Sequence, residues 1–254
     1  MIKDYCIANW KMNQSNADCE NFAHFLNSRF NPNSSEMIIC PPSIYLKTMN
    51  ELCSELQVEI GSQNVSENSN GAFTGEISCE MLMDNDINWT ILGHSERRQF
   101  FNETNVVVHN KLKNAEKNGI NPILCIGESL EERKTGKTVE ILKEQIKIAC
   151  NGINFSNVEL VIAYEPVWAI GAGVAADLNT ITETHNQIRS FLPDYISDSD
   201  KIPLLYGGSV NSENCKDILN IENVNGFLIG GASLDPQKFV NIYTQMNEIG
   251  VESL

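Results

Sequence analysis

The chain has few basic residues and no long apolar run. Its 18 lysines and arginines are outnumbered by 33 aspartates and glutamates, which gives a net charge of −15. This balance argues against a nucleic-acid partner, because nucleic-acid binding usually requires a basic surface. No segment approaches the roughly 18 consecutive apolar residues of a membrane-spanning helix, and the first ten residues lack the apolar core of a secretory signal. We therefore expect a cytoplasmic protein with no membrane partner.

The eight cysteines lack the spacing of a disulfide framework or a zinc site. None belongs to a C-x-x-C motif, and several lie in apolar stretches, as Cys6, Cys40 and Cys125 do. Cysteines scattered in this way are typical of buried free thiols in an intracellular protein. The sequence predicts no metal site.

Two nucleotide-binding patterns are present only in part. Gly136-Lys137-Thr138 has the end of a P-loop, but Glu131 occupies the position of its first glycine. The stretch from Gly171 to Ala176 fits G-x-G-x-x-A, but it follows Pro166-Val167-Trp168 rather than the first strand. We therefore expect no nucleotide cofactor, and no other cofactor is indicated.

Short apolar strands alternate with helices eight times along the 254 residues. The predicted strands are 5–9, 37–40, 58–61, 89–92, 122–126, 158–164, 202–206 and 226–229. The predicted helices are 15–30, 43–56, 79–84, 105–117, 137–150, 177–195 and one from 236, with Ser43 and Asp177 as N-caps. Eight such units in about 250 residues favour a closed parallel barrel over an open sheet. Since no linker divides the chain, we predict an α/β fold, a (β/α)8 TIM barrel, as a single domain over residues 1–254.

Polar residues or glycines follow five of the predicted strands. They are Asn9 and Lys11, His94, Glu165, Ser209, and Gly230-Gly231. In a barrel the carboxyl ends of the strands meet at one face, and barrel active sites lie there. This convergence predicts one pocket built from distant parts of the chain.

Glu165 ends a strand that Pro166 closes, and a loop with two glycines follows. A carboxylate beside a loop that covers it has the layout of a general base with a lid. Taken alone, the stretch favours a surface glutamate before a turn, because carboxylates at strand ends are common. The other strand ends favour the functional interpretation.

The late glycine pairs and His94 each have two interpretations. Gly207-Gly208 and Gly230-Gly231 favour a phosphate cradle of backbone N–H groups, although either pair alone indicates a tight turn. His94 precedes the opening of a helix, whose partial positive charge disfavours imidazolium, so we expect a neutral ring. A lone histidine is more often a core or capping residue. Lys11 is the natural cation for an anion pocket, or else a surface lysine.

Eight stretches of the chain together resemble the triosephosphate isomerase family, in its order and spacing. They are Asn9-Trp-Lys-Met-Asn13, Ser62-Gln-Asn64, Gly71-Ala-Phe-Thr-Gly-Glu76, Ile91-Leu-Gly-His-Ser-Glu-Arg-Arg98, Leu124-Cys-Ile-Gly-Glu128, Ala163-Tyr-Glu-Pro-Val-Trp-Ala-Ile-Gly171, Tyr206-Gly-Gly-Ser-Val210 and Gly226-Phe-Leu-Ile-Gly-Gly231. The resemblance implies interconversion of dihydroxyacetone phosphate and D-glyceraldehyde 3-phosphate, a step of glycolysis and gluconeogenesis, without a cofactor.

The resemblance also implies a role for each matching residue. Glu165 would move the proton between carbons, and neutral His94 would polarise the carbonyl. Lys11 would stabilise the enediolate and the phosphate, with Asn9 orienting the substrate. The backbone N–H groups of Gly171, Ser209, Gly230 and Gly231 would bind the phosphate. Glu96 would position Lys11, and Ser95 would support the site. Ile170 and Leu228 would exclude water from Glu165 and so raise its basicity.

The loop from Gly71 to Glu76 resembles the family's dimer arm, which places Thr74 near the partner's Asn9 and Lys11. A homodimer is therefore expected. The lid departs from the family's usual Gly-Thr-Gly-Lys, because this chain has Ala172 and Val174 at the second and fourth positions. We expect this to affect lid opening rather than the reaction. Two alternatives stay open: another phosphate-binding barrel enzyme, such as an epimerase or aldolase, and a non-catalytic interaction scaffold.

Overall fold

A computed structural model describes residues 2–32, 34–170 and 176–252. Eight parallel strands close into a barrel in sequential order, as predicted. The strands are β1 (Tyr5–Asn9), β2 (Glu36–Cys40), β3 (Glu59–Ser62), β4 (Trp89–Leu92), β5 (Asn121–Ile126), β6 (Val161–Tyr164), β7 (Leu204–Tyr206) and β8 (Gly226–Ile229). The ring closes where β1 pairs with β8, with Tyr5 opposite Gly226.

Ten α-helices occur in the described part of the chain. They are α1 (Asn16–Arg29), α2 (Leu46–Leu52), α3 (Cys79–Met83), α4 (Ser95–Phe100), α5 (Asn105–Lys117), α6 (Leu130–Lys134), α7 (Thr138–Ala149), α8 (Leu178–Phe191), α9 (Cys215–Leu219) and α10 (Pro236–Glu252). Within the described ranges, no helix has the length and apolarity to cross a membrane.

The strands carry apolar side chains on both faces because each face packs against a different core. One core fills the barrel: Tyr5, Ile7, Ile38, Cys40, Trp89, Ile91, Ile123, Cys125, Val161, Ala163, Leu205 and Leu228. Alternate residues of the same strands, among them Cys6, Ala8 and Ile39, belong to the outer core with the helices. All eight cysteines are buried and unpaired, as predicted. Because the interior is filled, a binding site must lie at an end of the barrel.

Most element boundaries follow the prediction, and the exceptions have local causes. Asp177 caps α8, since its side chain accepts the N–H of Thr180 at 2.9 Å. The prediction of Ser43 as an N-cap is wrong: residues Ser43–Tyr45 form a tight 3-10 turn, and no side chain caps it.

The predicted starts of the sixth and seventh strands are also too early. β6 begins at Val161 instead of 158, because Phe155–Asn157 forms a 3-10 turn directly before it. β7 is limited to Leu204–Tyr206 and follows another 3-10 turn, Ser199–Lys201. Helices α6 and α9 were not predicted; each has five residues, which show little helical period, although the equally short α3 was predicted.

Gly226 lies where the last strand pairs with the first, so we expect substitution of this residue to lower the stability of the protein. This residue has φ +113°, and an added Cβ would fall on the carbonyl oxygen of Tyr5 across the β1–β8 seam. We expect Gly226→Ala to lower the free energy of unfolding by more than about 3 kcal/mol.

Gly119 offers a matched control, because it has φ +72° but open space around its Cα. Gly119→Ala should cost only about 1–2 kcal/mol, the penalty of a left-handed alanine. Denaturant unfolding at one protein concentration compares the two variants. Equal losses would show that the seam does not require glycine.

Candidate active site

The predicted site residues meet in a cavity of about 330 Å³ at the carboxyl ends of the strands. Its lining includes these predicted residues: Asn9, Lys11, His94, Glu165, Ile170, Ser209, Leu228, Gly230 and Gly231. Gly171, Ala172 and Val174 lie outside the described residues. Among the described residues, no group of three His, Cys, Asp or Glu side chains is placed to hold a metal ion.

Glu165 directly follows β6, and its side chain is only 2% exposed. The Nε2–H of His94 lies 2.9 Å from Oε1 of the carboxylate. The backbone N–H of Ser95 donates to Oε2 at 2.9 Å. The carboxylate is therefore bound by two groups from the end of β4, and Ser95 supports it through its backbone.

His94 combines the two interpretations that the sequence left open, because it is both a helix cap and a site residue. It is the N-cap of α4, and its Nδ1 accepts the N–H of Glu96 at 3.2 Å. An accepting Nδ1 carries no proton, so the ring proton in this arrangement lies on Nε2, facing Glu165.

The pKa directions of this pair differ from the prediction, which rested on the helix terminus and on desolvation. Burial lowers the pKa of His94, but the carboxylates of Glu165 and Glu96 raise it above its ordinary value, against an opposing effect of Lys11. Burial raises the pKa of Glu165, but His94, the Ser95 N–H and Lys11 bring it below its ordinary value. In this arrangement both pKa values therefore shift in the direction opposite to that expected for each residue alone, because each group stabilises the charged form of the other.

Lys11 has a strained backbone and a fixed side chain. Its φ is +51°, in the left-handed region. Its ammonium lies 2.6 Å from Oε1 of Glu96, as expected for a carboxylate that positions it. The Asn9 side chain accepts the N–H of Lys11 at 3.0 Å, and Gln63 donates to its carbonyl oxygen at 2.8 Å. Strain that neighbouring contacts maintain is characteristic of functional sites.

The glycine-bearing strand ends form the other wall of the cavity. Gly207, Gly208, Gly230 and Gly231 all line it. A Cβ at Gly230 would lie 3.3 Å from Cε of Lys11, so the lysine side chain runs along this turn. The hydroxyl of Ser209 donates to the carbonyl oxygen of Ala169 at 3.0 Å. The predicted anion site and the predicted cation therefore share one wall.

The stretch from Leu124 to Glu128 carries part of the family resemblance, but the sequence predicted no role for Gly127 or Glu128. A Cβ at Gly127 would fall on the carbonyl oxygen of Glu165. The side-chain amide of Gln145 bonds both the N–H and the carbonyl of Gly127, at 2.9 and 2.8 Å. Gly127 therefore makes room for the backbone of Glu165, and only its position at the end of a strand signalled this.

Glu128 was missed for a different reason, since nothing in the sequence pairs it with a partner. It is fully buried and binds Arg133 at 3.1 Å, the Tyr164 hydroxyl at 3.1 Å and the indole N–H of Trp168 at 3.2 Å. These contacts fix the segment that follows Glu165. Arg133 is five residues from Glu128, but Tyr164 and Trp168 are 36 and 40 residues away along the chain, so no local pattern indicates those two contacts.

The fold and the site define a class: a parallel (β/α)8 barrel enzyme with acid–base groups at the carboxyl ends of its strands. The triosephosphate isomerase family model matches residues 4–246. Similar proteins include the triosephosphate isomerases of Aquifex aeolicus, 41% identical over 92% of this chain and 96% of that protein, and of Dictyoglomus turgidum, 43% identical over 95% and 99%. That of Paracoccidioides lutzii is 44% identical over 92% and 94%. The chain belongs to the triosephosphate isomerase family and is accordingly an isomerase.

The contact between His94 and Glu165 makes the pKa of His94 depend on the carboxylate. In the unliganded protein we expect the pKa of His94 to lie above 6.5. In Glu165→Gln it should be lower than in the wild-type protein, because a carboxylate that raises it is removed while burial and Lys11 still lower it. An NMR titration of the histidine rings measures both values.

His185 is the internal control for that titration. It is fully buried with no carboxylate partner, which lowers its pKa to about 4, and its Nδ1 faces the carbonyl oxygen of Asn223 at 2.9 Å. Its pKa should be the same in both proteins. An unchanged pKa of His94 would contradict the assigned cause.

Proposed function

We propose that this isomerase interconverts dihydroxyacetone phosphate and D-glyceraldehyde 3-phosphate by proton transfer through an enediolate, without a cofactor. The observation that carries the proposal is the contact between a buried carboxylate and a buried imidazole, Glu165 and His94, at 2.9 Å. Both groups face the cavity that contains Lys11 and the glycine turns. A base, an electrophile and an anion site within one small pocket are what an aldose–ketose phosphate isomerisation requires.

Glu165 acts as the base after it leaves His94. In the unliganded protein His94 and Ser95 stabilise the carboxylate and so weaken it as a base. When the carboxylate turns to the substrate carbon, those two hydrogen bonds are lost and burial becomes the dominant influence, which raises its basicity. Ile170 and Leu228 line the cavity and keep water from the carboxylate.

His94 becomes the neutral electrophile in the same step. Departure of Glu165 removes a carboxylate that raises its pKa, whereas burial and Lys11 still lower it. The N–H of Glu96 continues to occupy Nδ1, so Nε2–H is free to donate to the substrate carbonyl. A neutral donor transfers protons between the two oxygens without holding a permanent charge.

Lys11, Asn9 and the glycine turns bind the rest of the substrate. The Lys11 ammonium stabilises the enediolate and the phosphate, while Asn9 orients the substrate. Backbone N–H groups of Gly171, Ser209, Gly230 and Gly231 bind the phosphate. This assignment rests on the family's motifs and, for Asn9, Lys11, Ser209, Gly230 and Gly231, on their position in the cavity.

The proposal predicts that Glu165→Ala separates chemistry from binding. Turnover in a coupled assay with chelator present should fall by about 10²–10⁴-fold, because the general base is lost. Affinity for inorganic phosphate should stay within about threefold, since the glycine turns and Lys11 are unchanged.

Glu159→Ala is the matched control, because Glu159 is an exposed carboxylate next to Lys3 and Tyr5 at the other end of the barrel. It should keep wild-type turnover. Equal losses of phosphate affinity and turnover in Glu165→Ala would argue against the role as base. An inactive wild-type protein that binds phosphate would favour another phosphate-binding barrel enzyme, and one that binds none would favour a scaffold.

We also propose a cytoplasmic homodimer. Phe73 of the predicted dimer arm is 45% exposed in the single chain, and other large apolar side chains are exposed too, with Met12 at 96% and Ile44 at 76%. Met12 adjoins Lys11, so a partner that covers Met12 would also close one side of the site, with its Thr74 nearby. The free buried thiols suit a reducing compartment.

Phe73→Glu tests the dimer, because it replaces the exposed apolar side chain of the predicted dimer arm with a charged one. Light scattering should give twice the chain mass of 28.3 kDa for the wild-type protein and the single-chain mass for the variant. Activity should fall with the loss of the dimer. Glu76→Gln, a change in an exposed residue of the same arm, should leave the mass unchanged. A wild-type monomer with full activity would refute the proposal.

A further inference from the structure

The loop after β1 contains a second strained residue that lies outside the cavity. Gln14 has φ +78°, in the left-handed region, three residues after Lys11 at φ +51°. This conformation is unfavourable for glutamine and persists only where surrounding contacts enforce it. The strain at Lys11 accompanies the placement of its side chain in the cavity. Gln14 does not line the cavity, so its strain needs a separate explanation.

The Gln14 side chain makes one specific long-range contact. Its amide Nε2 donates to the carbonyl oxygen of Leu234 at 2.9 Å, although the two residues are 220 positions apart. Leu234 ends the 3-10 turn Gly231–Leu234, whose first residues line the cavity. The indole N–H of Trp10 donates to the adjacent carbonyl of Ser233 at 3.1 Å. Two side chains of the β1 loop thus hold two consecutive carbonyls of the turn.

Hydrogen bonds inside the turn connect the end at Leu234 to the end at the glycines. The N–H of Ser233 donates to the carbonyl oxygen of Gly230 at 2.9 Å. The Ser233 hydroxyl lies within hydrogen-bond distance of the same oxygen, at 2.7 Å, and of the carbonyl oxygen of Ile229, at 2.9 Å. The position of Leu234 therefore sets the position of Gly230 and Gly231.

Lys11 runs along the same turn, with its Cε 3.3 Å from a Cβ built on Gly230. The backbone of Lys11 and the side-chain amide of Gln14 belong to one short loop. That loop therefore contacts both parts of the anion site: it carries the Lys11 ammonium, and through Gln14 it binds the glycine turn. We propose that Gln14 is a positioning residue, which sets the separation between the Lys11 ammonium and the glycine N–H groups that bind phosphate. The inference rests on the proposed function, since it concerns that function's phosphate site.

Two substitutions separate the hydrogen bond from the backbone strain. Gln14→Met keeps the length of the side chain and the left-handed strain but removes the donor. Gln14→Gly removes the donor and relieves the strain. We expect both variants to weaken binding of inorganic phosphate by about three- to tenfold, the usual effect of losing one hydrogen bond. KM should rise by a similar factor, and kcat should change by less than about twofold.

Phosphate binding is measured by 31P NMR titration, so it does not depend on turnover. The control is Asn223→Gly, because Asn223 also has a left-handed backbone, φ +66°, and side-chain hydrogen bonds to Asn186 and Arg189, close to the start of β8. It should alter thermal stability without altering phosphate affinity. Wild-type phosphate affinity in both Gln14 variants would overturn the inference. Normal affinity in Gln14→Gly with weakened affinity in Gln14→Met would overturn it as well, because the backbone strain and not the lost hydrogen bond would then be the cause.

Failure of this inference is distinguishable from failure of the proposed function. A wild-type protein that binds phosphate but does not isomerise triose phosphates refutes the proposed reaction only. A wild-type protein that isomerises, with Gln14 variants that bind phosphate normally, refutes the role of Gln14 only. An equal loss of affinity in Asn223→Gly would show a general effect of destabilisation and would also overturn the inference.

Discussion

The burial of the Glu165 carboxylate is the constraint on which the rest of the site depends. An ionised carboxylate that is 2% exposed is unstable unless hydrogen-bond donors surround it. Those donors come from His94 and Ser95, so the turn after β4 must hold a fixed position relative to β6. Two side chains fix this turn at Gly93. The Glu103 carboxylate accepts the N–H of Gly93 at 3.1 Å, and Arg98 donates to the carbonyl oxygen of Gly93 at 2.7 Å.

The two ends of the barrel use glycine for different purposes. At the carboxyl ends of the strands, Gly127 makes room for Glu165, and Gly230 makes room for Lys11. At the opposite end, Gly226 allows the last strand to approach the first. Ion pairs at that end, such as Lys3 with Glu159, are half exposed and contribute little to stability. The candidate site and the closure of the barrel are thus separated along the barrel axis, although each depends on a glycine, Gly127 or Gly226, whose Cβ would meet a backbone carbonyl oxygen.

The sequence predicted the strand ends better than the contacts between them. Periodicity and chain length established eight strand–helix units, and the ends of five strands located Asn9, His94 and Glu165 at one face. The contact of His94 with Glu165 could not be predicted, because it depends on the angle between two strands and reverses the pKa directions expected from burial and the helix terminus alone. The contact of Gln14 with Leu234 joins the two ends of the chain, and no local pattern encodes it.

The sealed thiols of this barrel have a practical consequence. Burial raises the pKa of Cys53, Cys79 and Cys150 to about 12 each, and the thiolate is the form that reacts with alkylating reagents. In the closed molecule these groups are therefore chemically silent near neutral pH. Each becomes reactive only while its surroundings are open, so the rate of alkylation at each cysteine measures how often that part of the barrel unfolds locally. These three cysteines therefore report on local unfolding of the outer core, between the strands and the helices.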